Sequence, residues 1–395
     1  MDLDARNLQA SASAASELRG VRALLLVGGR PGLERFGEMP LVLLDVLGRS
    51  ILLRTIDRLR TVGIGEVTVL SDTESVPPRP AAELCHFQVA RRESFWDEAL
   101  HQTRRMARQS ECVLVIRLGG WAEVDYRTMI SHHRKSGVAL TRAVSRDVGA
   151  LEIFVASSNS TAETAALLRG ELRDERIQTS PFEVSGYVNL LQESAELRKL
   201  ILDSFAGEAA VPPFGRECRP GVWVGRGSRI HRDARVLAPA YIGSFCHVHR
   251  GAVVTRGSSL EHHAELDCGT MLDGSTLLPY TRIAAGLEVE QSVVGFHQVH
   301  SLVHQITVDV EDTHLIGTTQ EYVSMRVYTA AQWVLTFLSN TLWKFLFESS
   351  PQQARSASAA LGSSGPALSE SSLAPVESEA KSYREMVAAR RYGDE

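Results

Sequence analysis

Apolar positions along this chain change their spacing twice, and each change predicts a different kind of structure. Val21 to Val27 is a nearly continuous apolar run stopped by Gly28-Gly29, as expected of a strand buried on both faces. In Ser50 to Gly63, Ile51, Leu52, Ile56 and Leu59 recur at helical spacing, and a second strand follows at Glu66–Asp72. Strand, helix, strand at this spacing is a βαβ unit and predicts a parallel sheet. The alternation continues with a helix over 97–109, a strand at 112–118, a helix over 125–137, strands at 138–144 and 151–157, and a helix over 195–205. These elements predict an α/β domain over residues 20–207.

From about Val222 the period becomes six. Val224, Ile230, Val236, Ile242, Val248, Val254, Leu260, Leu266, Leu272 and Leu278 stand six apart. Two positions before each apolar residue from Ile230 onward sits a small one: Ser228, Ala234, Ala240, Cys246, Ala252, Ser258, Ala264, Thr270 and Thr276. After a one-residue slip, Leu277, Ile283 and Val289 keep the period. Neither a helix nor an alternating strand repeats every six residues. A triangular parallel β-helix does, because each short side contributes one inward aliphatic and each tight corner takes a small residue. The β-helix is predicted over 208–319.

Beyond it, in the segment 320–348, Val327, Ala331, Val334, Leu335, Leu338, Leu342, Phe345 and Leu346 share one face of a predicted amphipathic helix. Gln332, Thr336, Ser339 and Asn340 lie opposite, too polar a set for a spanning helix. Packing on the body or on another subunit is the first expectation for 327–347, contact with a membrane surface the second, and a membrane span the third. Residues 349–395 are Ser-, Ala- and Pro-rich and read as a disordered linker and tail, and residues 1–19 as a disordered arm.

A formal net charge of −5 removes a basic face for nucleic acid, so no nucleic-acid partner is expected. The five cysteines are scattered and lack CxxC spacing, which fits reduced structural thiols and a cytoplasmic setting. Met1-Asp2-Leu3-Asp4 carries no basic and apolar signal pattern, so export by that route is not expected. The predicted β-helix is rich in histidine: His231, His247, His249, His262, His263, His297, His300 and His304. Outer positions of a β-helix accept any polar side chain, so these read as surface residues. His297, His300 and His304 have metal-like spacing but lack a cysteine or carboxylate partner nearby.

Four stretches together resemble a known family. They are Ala23 to Gly29, Met39 to Leu70, Val113 to Val144 and Phe182 to Ile201, followed by the hexapeptide repeat. An α/β domain built this way resembles the sugar-1-phosphate nucleotidyltransferases, or NDP-sugar pyrophosphorylases, over roughly Val21 to Gly317. The resemblance implies a Rossmann-like nucleotidyltransferase domain followed by a left-handed parallel β-helix. It also implies nucleotide-binding glycines at Gly28, Gly29 and Gly32, and a homo-oligomer assembled through the β-helix. In that family a sugar phosphate attacks the α-phosphate of an NTP and pyrophosphate leaves. That chemistry needs backbone N–H donors, cationic side chains and Mg²⁺ held by two aspartates.

At four positions where the family carries charge, this chain does not. Leu33 stands where the arginine of the glycine-rich loop belongs, with Pro31 removing one N–H donor. Leu41 stands for the lysine. Gly120 and Leu190 stand at the two expected metal positions. Arg30 and Arg35 are the candidate catalytic substitutes, and Glu123 and Asp125 the nearest acids, although both read as acids at a helix start. The expectation is a degenerate pyrophosphorylase-like protein, without a resident metal. It would act as a scaffold or regulator in sugar-nucleotide or surface-polysaccharide metabolism, with a sugar nucleotide or NTP as its ligand. The alternatives are an active enzyme of mannose-1-phosphate guanylyltransferase type using Mg²⁺, and a hexapeptide-repeat acyltransferase with a histidine base.

Overall fold

The computed structural model describes residues 18, 20–28, 35–36, 39–72, 85–159, 164 and 179–319. All of them belong to the first of two compact units, Met1–Arg326 and Val327–Glu395. The arm up to residue 17, the amphipathic segment 320–348 and the tail 349–395 lie outside the described residues. The described chain is mixed α/β, richer in strand than in helix, with parallel sheets. No helix among the described residues is long and apolar enough to cross a membrane.

Among the described residues of the first half, beside two short hairpins within 35–50, the strands are β1 (Val21–Val27), β2 (Val67–Ser71), β3 (His86–Val89), β4 (Cys112–Arg117), β5 (Trp121–Ala122), β6 (Leu140–Ser145), β7 (Gly149–Ser157), β8 (Thr179–Val184) and β9 (Val188–Asn189). Seven of them form one sheet in the order β8-β6-β7-β4-β1-β2-β3. Its pairs are parallel except those made by β7, which runs antiparallel to both β4 and β6. β7 departs from the parallel sheet because Ser145 and Gly149 close a hairpin, whereas a parallel pair needs a crossover of about a dozen residues or more.

Among the described residues, the α-helices beside the sheet are α1 (Ile51–Val62), α2 (Phe95–Ala107), α3 (Tyr126–Ser136) and α4 (Ser194–Ala206). Ser50 Oγ caps α1 by accepting Leu53 N–H at 3.3 Å, and Gly63, at φ +105°, ends it in the left-handed conformation. Leu25 and Val27 of β1 face Ile51, Ile56 and Leu59 of α1, while Leu24 and Leu26 face Phe95, Ala99 and Met106 of α2. Both faces of β1 are thus covered, which is why its sequence is apolar from Ala23 to Val27.

From Val222 the strands shorten and stack in three parallel ladders. Val222 pairs with Ala240 and Ala240 with Ser258, Arg229 with His247 and His247 with Glu265, Arg235 with Val253 and Val253 with Met271. Each step is eighteen residues, three sixes. The next pairs, Ser259 with Thr276, Glu265 with Arg282 and Met271 with Glu288, step by seventeen, the observed counterpart of the slip. Ile242, Val248, Val254, Leu260, Leu266 and Leu272 are fully buried in a core of their own, with Ala240, Cys246, Ala252 and Ala264 among them. The slip sorts two neighbouring leucines. Leu277 continues this inner core, whereas Leu278, which the six-residue count also places inside, is buried in the core of the α/β half with Tyr241 and Val293. The stack ends in antiparallel pairs, Ser292–Gly295 with Gln298–Ser301 and the latter with Ile306–Asp309.

Candidate functional site

The carboxyl edge of β4 carries the residues on which the family comparison turns. β5 pairs antiparallel with β9, Trp121 opposite Asn189, and this short ribbon brings Gly120 beside Leu190. Both line a small cavity of about 60 Å³ with Arg117, Trp121, Glu152 and Asn189. The two expected metal positions are therefore neighbours in space, but neither offers a side-chain oxygen. Space forbids an acid at the first: a Cβ on Gly120 would lie 2.2 Å from the Asn189 carbonyl oxygen and 2.7 Å from Leu190 Cα.

The polar groups around the cavity are engaged with one another. Glu152 pairs with Arg117 at 3.3 Å and with Arg142 at 3.5 Å, and the Arg117 guanidinium lies 4.6 Å from the Trp96 ring centroid. Asn189 is spent on the chain's own path, donating to Glu196 O and accepting from Leu191 N, each at 2.9 Å. The edge is held in shape by internal pairing, with little charge left to meet a polyanion.

Glu123 and Asp125 have structural partners. Glu123 Oε1 accepts from the Trp121 indole at 3.2 Å and from Ala210 N at 2.5 Å, clamping β5 to the loop after α4. It precedes α3 rather than starting it. Asp125 is the N-cap of α3, accepting the Arg127 and Thr128 N–H groups at 3.1 Å each. Its carboxyl is held below the usual range, chiefly by the 2.6 Å hydrogen bond from the Thr128 hydroxyl. Cap geometry accounts for this acid fully.

At the carboxyl end of β1, Gly28 (φ +119°) follows the strand, and a Cβ there would lie 2.0 Å from Asp72 Oδ1. A carboxylate packed on this glycine opposes an incoming phosphate. Leu41, in place of the family lysine, is buried in the core. Gly29, Arg30 and Gly32 lie outside the described residues; of Arg35 only the backbone is described, in a two-residue strand with Phe36.

The histidines fall partly in pairs, His247 with His249 (ring centroids 6.4 Å apart) and His262 with His263 (5.7 Å). His263 stacks between Phe245 and Tyr280, with centroids 5.0 and 4.8 Å away, and His300 Nδ1 meets Thr307 Oγ1 at 2.9 Å. His262 ties the two halves together, 2.7 Å from Asp45. Next to it, Glu261 accepts the N–H groups of Leu47 (2.9 Å) and Gly48 (2.8 Å), and Arg198 of α4 donates to Gly274 O at 3.0 Å. Sequence reasoning missed Asp45, Glu261 and Arg198. Their partners are tens to hundreds of positions distant; the one local signal is a Glu inside the six-residue repeat, directly after Leu260. All five cysteines are free thiols, Cys112 and Cys246 buried, Cys218 and Cys268 exposed.

No protein-family model matches the chain, and no curated protein matches it.

Proposed function

We propose that this chain is a non-catalytic relative of the sugar-1-phosphate nucleotidyltransferases, its α/β half keeping the nucleotidyltransferase-like fold and its ladders forming a left-handed β-helix. In this reading it serves as a scaffold or regulator in sugar-nucleotide or surface-polysaccharide metabolism, binds a sugar nucleotide or NTP without turning it over, and self-associates through the β-helix. The eighteen-residue ladder steps support the β-helix, and the βαβ crossovers around β1, β2 and β4 support the nucleotidyltransferase-like half.

One observation carries the reading: Gly120 and Leu190 adjoin, and the backbone of the second fills the space a side chain on the first would need. Mg²⁺ takes an octahedron of oxygens at about 2.0–2.1 Å. It is usually anchored by one or two carboxylates, which a glycine and a leucine side chain do not supply, so these residues do not fit the ion and no transfer step passes through one. Without a cation bridging the reactants, the remaining cationic contribution would come from Arg117, which is already paired with Glu152.

The test is pyrophosphate release from a panel of NTPs and sugar 1-phosphates with Mg²⁺, alongside calorimetric titration with sugar nucleotides. Saturable binding without release is the expected result. Mg²⁺-dependent turnover that disappears in Arg117→Ala or Glu152→Ala overturns the proposal.

A further inference from the structure

Away from the cavity, successive coils of the strand stack align metal-ligand side chains on one outer face. His249 N donates to Leu266 O at 2.9 Å and Asp267 N to Ile283 O at 3.1 Å, so these residues leave their strands at equivalent places on adjoining coils. Cys268 follows Asp267 and is exposed. One donor atom from each of His249, Asp267 and Cys268 lies within 4.8 Å of the other two. Among the described residues this is the one such three-donor group.

We propose that His249, Asp267 and Cys268 form a zinc site with its fourth position open to solvent. A sulfur, an imidazole nitrogen and a carboxylate oxygen suit Zn²⁺ and disfavour the all-oxygen ions Mg²⁺ and Ca²⁺. Zinc bonds of about 2.0–2.3 Å set tetrahedral ligands roughly 3.3–3.8 Å apart. From separations of at most 4.8 Å the donors need close by no more than about 1.5 Å to reach that geometry, and a χ1 rotation of the exposed cysteine contributes to that movement.

The surroundings are those of a supported site. His249 Nε2 lies 2.8 Å from Glu265 Oε1, and an imidazole that donates through Nε2 keeps its lone pair on Nδ1. Arg282 donates to Asp267 Oδ2 at 2.7 Å and Cys268 N to Oδ1 at 2.7 Å, which fixes the carboxylate while leaving each oxygen a further lone pair. Ladder hydrogen bonds hold the backbone on both coils. On binding, the Cys268 thiol gives its proton to solvent and the thiolate takes the metal.

The test uses the full chain stripped of metal with a chelator and titrated with Co²⁺, the spectroscopic stand-in for Zn²⁺. A sulfur-to-cobalt charge-transfer band that saturates at one ion per chain and is displaced by Zn²⁺ is the expected result. Cys268→Ser removes the band, whereas Cys218→Ser, at the other exposed thiol, keeps it. Glu265→Gln weakens binding about 10- to 100-fold. Unfolding of the metal-free Cys268→Ser chain at the wild-type temperature shows that the loss is not one of folding. Absence of a saturable band in the wild type, or a band that survives Cys268→Ser, overturns the proposal.

Discussion

Replacing Glu261 with glutamine probes how the two halves of the described unit are joined. Glu261 is buried and accepts two backbone N–H groups from the tip of the hairpin between Asp45–Val46 and Arg49–Ser50. Burial and the nearby Asp45 charge push its carboxyl up from 4.5 to about 7, against the pull of the two N–H donors. Because the folded value lies above the unfolded one, the folded chain holds this proton more tightly. The stabilisation is complete below the unfolded value and is lost as pH rises through about 7. At about 1.4 kcal/mol per unit, the loss amounts to about 3 kcal/mol. His262 acts in the same sense: burial lowers its pKa, but the hydrogen bond and charge of Asp45 outweigh burial and raise it. Urea unfolding of the wild type from about pH 5 to pH 8 should therefore show stability falling with pH. In Glu261→Gln the amide group faces one of the two N–H donors, at a cost of about 1–3 kcal/mol at low pH. The remaining pH slope should be the smaller one due to His262. If the variant keeps the wild-type slope, Glu261 does not titrate in this range and the account of the junction is wrong.

Three further outcomes are expected. Gly120→Asp puts atoms onto the Asn189–Leu190 backbone, so it should lower stability by about 3 kcal/mol or more in thermal unfolding and yield no Mg²⁺-dependent pyrophosphate release. Tyr241→Phe removes the 3.0 Å hydrogen bond to Phe214 O; denaturant titration should show a loss of about 1–2 kcal/mol, and an unchanged midpoint refutes that bond. Thiol labelling at mildly alkaline pH should reach Cys218 and Cys268 in the native protein. Cys112 and Cys246, with thiols pushed up by burial to about 11 and about 12, should label only after unfolding.

Local periodicity made much of this architecture legible. A six-residue repeat has few structural solutions, and its small corner residues and even its slip reappear in the pairing steps of the ladders. The helix over Ile51–Val62 was legible because its cap, its apolar face and its terminal glycine all lie within fourteen residues. β3 was not, since His86-Phe87-Gln88-Val89 is a half-exposed edge strand with no apolar run to announce it. The direction of β7 depended on a hairpin, and the burial of Leu278 on a neighbour outside its own repeat. At the candidate site, the side-chain deficit at Gly120 and Leu190 could be read from sequence. The packing that bars a replacement could not, because it is a contact between segments about seventy positions apart. The junction of Asp45, Glu261 and His262 was invisible for the same reason.

Tyr241, Leu278 and Val293 rise from the strand stack yet are buried with Leu47 and Leu41 of the other half, and the stacked Phe205 and Trp223 rings bridge the same boundary. A chain cut near residue 207 would bare this apolar seam on both fragments, and each should aggregate or stay incompletely folded. The two halves consequently melt in one cooperative transition, and neither can be lent to another protein as a free-standing module.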